Sequence, residues 1–559
     1  MKPNHLACLL VCVATLSLGG CGGGGEDSRA SAEANRAAPD VSACTALESG
    51  TALIDGNPLV VPAGAHEKPL VVPTLRTWQG TPDIASVTPL SRIVLAQSDA
   101  SGLQPVAMQL VADIKALTGW TLPIVHGKPA APGDVLLSRQ VCNANVQGLI
   151  GEEGYTLDAG NLVSIRANSP RGIFYGTRTL LQMMLLGKSA DGSSSAVSGG
   201  YTVDYPRYGT RALQLDVARK YLTPAFIQQY IRFMSWYKLN TLHLYLNDGV
   251  NDPSGKVTAT QFRLASDNPA FASLKPTDGL AYTRADWDGF EDLAARHAVE
   301  ILPEIESVGH TAALVAARPD LAAAGPNQYG SETVMLDIGN PASLAYVESV
   351  WSEFLPWFRS SRVHIGGDEL LKSVMDQPSA VGTYINGLAS FLKKNGKQVA
   401  IWDLPTVESY YDKSLLVFRW NFEGTTSTPL WGRDGFQYLN SPHEWYIVPG
   451  APARYNPNGI PGESLYDAPD QSLNPGDLAP IGGQLSNWND QALNSPYSEA
   501  TLNHILKDSV APFGQIQWSG QDVGAGGQVT PYARIQQSIG RFQYGPDATL
   551  FVTDQLTGQ

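Results

Sequence analysis

The stretch "RVHIGGDE", residues 362–369, decides how the rest of the chain is read. Its first four residues have the pattern of a short buried strand. Gly366 and Gly367 then break it, and Asp368 and Glu369 stand side by side. Neighbouring carboxylates repel each other and a glycine pair weakens a strand, so this is a strand end whose side chains serve something besides packing. Seven further runs fit the same strand pattern: "ALQLDVA" (212–218), "TLHLYLN" (241–247), "EILPEIE" (300–306), "QVAIWD" (398–403), "LLVFRWN" (415–421), "WYIVPG" (445–450) and "GGQLSNWND" (482–490). Helical spacing of apolar residues fills 224–237, 285–298, 342–358, 379–395 and 497–508. Eight strands alternating with helices over 206–559 predict an α/β fold, a (β/α)8 TIM barrel.

Chemistry in such a barrel gathers at the C-terminal ends of the strands. The sequence puts Asn247-Asp248, Glu304 and Glu306 with His310, Asp368-Glu369, Trp402-Asp403, Trp420-Asn421 and Trp488-Asn489-Asp490 there. Packing alone does not predict acids and tryptophans along one rim. Two carboxylates at one glycosidic bond can divide labour, one protonating the leaving oxygen and the other stabilising the developing cation.

Ahead of the barrel, residues 70–205 read as a small α+β domain. "SRIVLAQ", "GDVLLSR", "EGYTLDAG" and "LVSIRAN" are its strands. One helix ends at Gly119 and another starts at Ser169-Pro170. Residues 22–69 read as a Gly/Ala/Ser-rich tether and N-terminal extension. Residues 1–21 have the form of an export signal: Lys2, an apolar run too short to span a bilayer, then "LGGC". The protein is therefore expected outside the cytoplasm, at the periplasmic or surface face of a bacterial envelope. Cys44 and Cys142, two of the five cysteines, lie beyond that signal and can pair in an oxidising compartment, although nothing in their spacing demands it. A net charge of −14 with no basic run argues against nucleic-acid binding. No Cys/His cluster has zinc spacing, and neither a metal nor a cofactor is expected.

The segment His364 to Glu369 resembles the H-x-G-G-D-E signature of glycoside hydrolase family 20, the β-N-acetylhexosaminidases. The resemblance runs from about residue 70 to the end of the chain and implies the small domain ahead of the barrel. It implies an exo-acting, retaining hydrolase of terminal β-linked GlcNAc or GalNAc, in which the substrate's own 2-acetamido group attacks through an oxazolinium intermediate. Glu369 is then the general acid and base, and Asp368 holds the acetamide N–H. "YGTRALQLDVARKY" resembles the first strand and implies Arg211 as the hydroxyl-binding arginine. Asp248, His310, His364, Trp402, Trp420, Tyr446, Trp488 and Asp490 fall on further substrate-binding positions. The family pattern is altered in four places: Glu306 stands for an aspartate, "NDGVND" reshapes the loop after strand two, Val448 stands for an aspartate, and Asp490 for a glutamate. The lipobox-like "LGGC" implies lipidation of Cys21. Two alternatives stay open: a lacto-N-biosidase-like release of a disaccharide, and a non-catalytic glycan-binding protein of the surface.

Overall fold

The computed structural model describes residues 44–546 apart from 56–60, 252–255, 328–329, 405, 421–429, 469–475, 494–495 and 525–526. The export signal, Cys21, most of the tether and Asn421 lie outside the described residues.

Eight parallel strands close into a barrel. They are β1 (Thr210–Asp216), β2 (Thr241–Tyr245), β3 (Glu300–Glu304), β4 (Arg362–His364), β5 (Gln398–Trp402), β6 (Leu416–Arg419), β7 (Gln437–Asn440) and β8 (Gly482–Asn487). β8 pairs with β1 over six residues, and Asn440 of β7 meets Gly483 of β8 to complete the ring. Helices Pro224–Trp236, Arg284–Arg296, Pro341–Phe354, Pro378–Lys394 and Glu499–Trp518 occupy the five regions of helical spacing. Their starts are chemically marked. Thr223, Asn340 and Ser498 accept backbone N–H groups at the first turn, Thr283 forms a capping box with Asp286, and Pro224, Pro341 and Pro378 open their helices.

The seventh strand corrects the sequence reading. The barrel uses "QYLN" (437–440), not "WYIVPG". Of the latter only Tyr446–Ile447 is extended, and it pairs with Ser486 and Asn487 of β8. The short strand β7 carries little apolar signal, whereas the longer apolar run packs around a 3-10 turn at His443–Trp445. The loop after β2 is a hairpin of Asn247–Asn251 with Val257–Phe262.

The small domain is a seven-stranded mixed sheet. The strands expected at 93–95, 135–138, 155–159 and 163–166 occupy its centre, flanked by Gln79–Val87, Ser195–Asp204 and Ile124–His126. "SAVSGGYTVD" (195–204) does not read as a strand because its small residues carry no apolar alternation. Those small residues allow close packing instead: a Cβ on Gly200 would lie 2.4 Å from the Trp78 ring. Cys44 and Cys142 are bonded and tie the first described residues to this domain.

Candidate active site

Four residues after Ile365 build the centre. Strand β4 stops at His364, and Gly366 (φ +74°), Gly367 (φ +113°) and Glu369 (φ +50°) take left-handed backbone. Only glycine enters that region without strain, so the glycines turn the chain, and Glu369 is held in a strained conformation. Space demands glycine as well. A Cβ on Gly366 would sit 1.8 Å from Oε2 of the fully buried Glu306, and one on Gly309 would sit 2.1 Å from the Asp368 carbonyl. Gly366→Ala is therefore expected to cost about 2–4 kcal/mol of stability, combining left-handed strain with displacement of a buried carboxyl. Chemical denaturation would check this; an unchanged midpoint would mean that the turn tolerates a side chain.

The turn delivers Asp368 and Glu369 into a cavity of about 240 Å³ at the C-terminal mouth of the barrel. Trp420, Tyr446 and Trp488 wall it, with His310, Arg219 and Asp490 completing the polar side. His310 (φ +45°) is the hub. Its Nδ1 lies 3.3 Å from the Asp248 carboxylate, and its Nε2 lies 3.4 Å from Glu369 Oε2 and 3.8 Å from Asp368 Oδ2. Asp248 is itself held by the Tyr245 hydroxyl at 2.7 Å and by Arg219.

Burial and charge divide the protons unequally. Burial, with the neighbouring Glu369, pushes Asp368 up to about 6 against the opposing pull of His310. Burial also acts upward on Glu369, but the hydrogen bond and charge of His310, helped by Arg219, hold it below the ordinary glutamate value. Burial disfavours charge on His310, yet Asp248 and Asp368 overcome it and raise its pKa well above the ordinary histidine value. The resting site thus carries its proton on His310, beside a carboxylate at Glu369. Asp368 Oδ1 is buried and has no hydrogen-bond partner among the described residues. Burial chiefly, with the Asp368 and Asp403 charges, raises Tyr446 well above the ordinary tyrosine value, so its hydroxyl keeps its proton.

The residues expected at the site fall into four groups. His310, Asp368, Glu369, Trp420, Tyr446, Trp488 and Asp490 line the cavity. Asp248 stands behind His310, and Trp402 behind Trp488, its ring centre 5.7 Å from that tryptophan. His364 does not reach the cavity. It is wholly buried inside the barrel, where its Nδ1 lies 2.7 Å from Glu304, which also takes the Trp402 indole N–H at 2.7 Å and faces His243 at 3.0 Å. His243, Glu304 and His364 are the kinds of residue that ligate metals. Their spacings are those of hydrogen bonds, however, and ligand atoms around a tetrahedral zinc stand about 3.3 Å or more apart.

Arg211 is the clearest correction. It lies at the start of β1, the opposite end of the barrel, where it is wholly buried and pairs with Glu153 of the small domain at 2.6 Å. Its Nε also donates to the Lys238 carbonyl at 2.7 Å. Strand β1 carries the chain to Arg219, the second arginine of the same segment, and this one reaches the cavity. Arg219 bonds Asp216 at 3.0 Å and lies 3.7 Å from Asp490. His443 and Tyr455 also line the cavity without having been expected, because they come from the irregular segment after β7. Val448, Ala451 and Pro452 make its apolar side.

The chain matches the description "Glycosyl hydrolase family 20, domain 2" over residues 68–205 and "Glycosyl hydrolase family 20, catalytic domain" over 208–468. Curated relatives include a β-hexosaminidase of Porphyromonas gingivalis, 26% identical over 64% of this chain and 47% of that protein. Another is a lacto-N-biosidase of Bifidobacterium bifidum, 23% identical over 68% of this chain and 33% of that protein. The chain thus spans less than half the length of either. The fold is shared with a Flavobacterium johnsoniae chitobiase (TM-score 0.68, 20% identity, 87% of this chain and 73% of that one). It is shared too with a β-N-acetylhexosaminidase of Streptomyces coelicolor (TM-score 0.67, 22% identity, 87% of this chain and 97% of that one). With both domains matched in order and the acidic pair placed at the barrel mouth, the chain belongs to glycoside hydrolase family 20.

Proposed function

We propose that the protein is a retaining exo-β-N-acetylhexosaminidase that uses the acetamido group of its substrate as the nucleophile. The observation that carries this reading is the buried, unpartnered Asp368 Oδ1 beside Glu369, in a cavity walled by Trp420, Tyr446 and Trp488. A buried acceptor without a partner is costly, and a ligand N–H relieves it. The aromatic walls fit the acetyl methyl group, and the protonated Tyr446 hydroxyl can donate to the acetyl oxygen.

In the first step the acetamide oxygen bonds to the anomeric carbon while the glycosidic C–O bond breaks. Asp368 holds the N–H as positive charge develops, and Glu369 gives its proton to the departing oxygen. That proton reaches Glu369 from His310 Nε2. In the second step Glu369, now a carboxylate, takes a proton from water, whose oxygen attacks the anomeric carbon and reopens the ring with net retention. On this reading Arg219 and Asp490, which line the cavity, hold outer hydroxyls.

Hydrolysis of p-nitrophenyl β-N-acetylglucosaminide and its galactosamine epimer tests the reading; folded protein inert on both would remove it. The pH profile gives a second test. Activity should rise through about pH 6 as Asp368 ionises, and fall only at alkaline pH as His310 loses its proton. His310→Gln removes the proton store, so the alkaline limb should move to lower pH and kcat should drop about 100-fold. An unmoved limb would show that His310 does not hold the proton.

Release of a disaccharide is the second reading, favoured by Val448, Ala451 and Pro452, which offer no partner for a hydroxyl on their side of the cavity. A lacto-N-biosyl nitrophenyl glycoside turned over faster than both monosaccharide glycosides would select it. We also place the protein at the cell envelope, anchored through Cys21, on the strength of residues 1–21 alone. Fatty-acid labelling that survives Cys21→Ala would contradict that placement.

A further inference from the structure

We propose that Glu306 works as a neutral carboxylic acid that buttresses the Gly366–Gly367 turn and thereby positions Asp368. Glu306 is wholly buried just beyond the end of β3. Its backbone is clamped on both sides by Asn247, whose Oδ1 accepts the Glu306 N–H at 2.8 Å and whose Nδ2 donates to the Glu306 carbonyl at 3.2 Å. The side chain runs beneath the turn. Oε2 accepts the Gly367 N–H at 3.3 Å and lies so close to Gly366 that a single added Cβ would come within 1.8 Å. The carboxyl therefore fills the space that defines the turn, and Asp368 is the next residue along.

The charges around Glu306 decide its protonation. Glu304 faces it from β3, Asp248 from the hairpin after β2, His310 from the loop after β3, and Asp368 from the turn after β4. Three are acids and one is a base, and His310 is already engaged with Asp248, Glu369 and Asp368. None of the hydrogen bonds or ion pairs of Glu306 among the described residues involves a lysine, arginine or histidine. Its Oε1 is buried with no partner among those residues. An ionised Glu306 would add an uncompensated buried charge, which is strongly disfavoured. Burial first, then Asp368 and Glu304, raises its pKa well above the ordinary glutamate value, in agreement with the geometry. As a neutral acid it supports the turn without repelling the Asp368 carboxylate that the turn presents.

Infrared difference spectroscopy of the full chain against Glu306→Gln at pH 8 tests the protonation directly and does not depend on the proposed activity. Wild-type protein should show the carbonyl band of a protonated carboxylic acid that the variant lacks; its absence would overturn the proposal. The positioning role rests on the proposed hydrolase reading and is read in the kinetics. Glu306→Ala should lower kcat about 30-fold or more with little change in KM, because the turn relaxes. Glu306→Gln, which keeps the shape and both hydrogen-bonding functions without a charge, should recover most of that loss and keep the acidic limb of the pH profile within about 0.3 units of wild type. A Glu306→Gln limb displaced by about a unit, or kinetics no better than Glu306→Ala, would overturn it. Should Glu306→Ala fail to fold, the infrared comparison and the Glu306→Gln profile still decide. Protein inactive on every glycoside but showing the band would sink the hydrolase reading and leave the neutral Glu306 standing.

Discussion

Glu369→Gln is expected to abolish turnover of glycosides with sugar leaving groups, lowering kcat by about 1,000-fold or more. The size follows from the chemistry of departure. A sugar alkoxide is a poor leaving group, and of the cavity acids facing the His310 Nε2, Glu369 is nearer, at 3.4 Å against 3.8 Å for Asp368. A nitrophenolate leaves without protonation, so on a nitrophenyl glycoside the first step should be nearly spared. The loss there should fall to about 10–100-fold and reflect the missing base of the second step. Parallel assays on a chitobiose-type substrate and the nitrophenyl glycoside check this contrast. Equal losses on both would mean that Glu369 does not protonate the leaving oxygen, even if it matters for binding.

The second large effect belongs to Asp368→Asn. The amide keeps the size of the side chain but loses the negative charge, which on the proposed mechanism stabilises the acetamide as it becomes cationic. A kcat loss of about 100–1,000-fold is expected on both kinds of substrate, because on the proposed mechanism the acetamide attacks in the same step whichever leaving group departs. The same substitution should stabilise the fold at neutral pH. Asp368 has a folded pKa raised to about 6, so between the ordinary aspartate value and 6 the native state binds more protons than the unfolded chain. Unfolding free energy therefore falls as pH rises through that window, and the penalty stays at higher pH. The asparagine variant escapes it. With 15% of the Asp368 side chain open to cavity water, the gain is on the order of 1–2 kcal/mol above pH 6 and vanishes below about pH 4. Melting curves at pH 4 and pH 8 check the sign. A variant less stable than wild type at pH 8 would mean that the buried charge is better compensated than burial and Glu369 allow. Loss of function with a gain in stability is what a strained, desolvated site requires.

How much of this was legible in the sequence depended on whether the signal was local. The strand β4 and its glycine-acid end were legible because a buried apolar run, a breaker and two charges follow one another within eight residues. The helix start at Ser169-Pro170 was legible for the same reason, since capping is chemistry within one turn. The two arginines of "YGTRALQLDVARKY" were not separable in that way. Both sit in apolar surroundings, and only the direction of β1 tells that Arg211 enters the barrel floor while Arg219 leaves at its mouth. His364 belongs to the same signature segment, but the segment does not tell which of its side chains face the cavity. Strand β4 ends at His364, whose side chain turns into the barrel toward Glu304. The four residues of β7 were outweighed by the stronger apolar run that follows them. His443 and Tyr455 entered the cavity from three-residue 3-10 turns, too short for any periodicity to be read.

The central claim is that the substrate's acetamide oxygen, and no protein side chain, forms the bond to the anomeric carbon. Measuring kcat/KM for nitrophenyl glycosides carrying N-acetyl, N-fluoroacetyl, N-difluoroacetyl and N-trifluoroacetyl groups tests it most directly, since each fluorine withdraws electrons from that oxygen while changing its size little. The account predicts a steep, monotonic fall across the series, in wild type and in Glu306→Gln alike. A flat dependence would contradict it and require a nucleophile from the protein or from water.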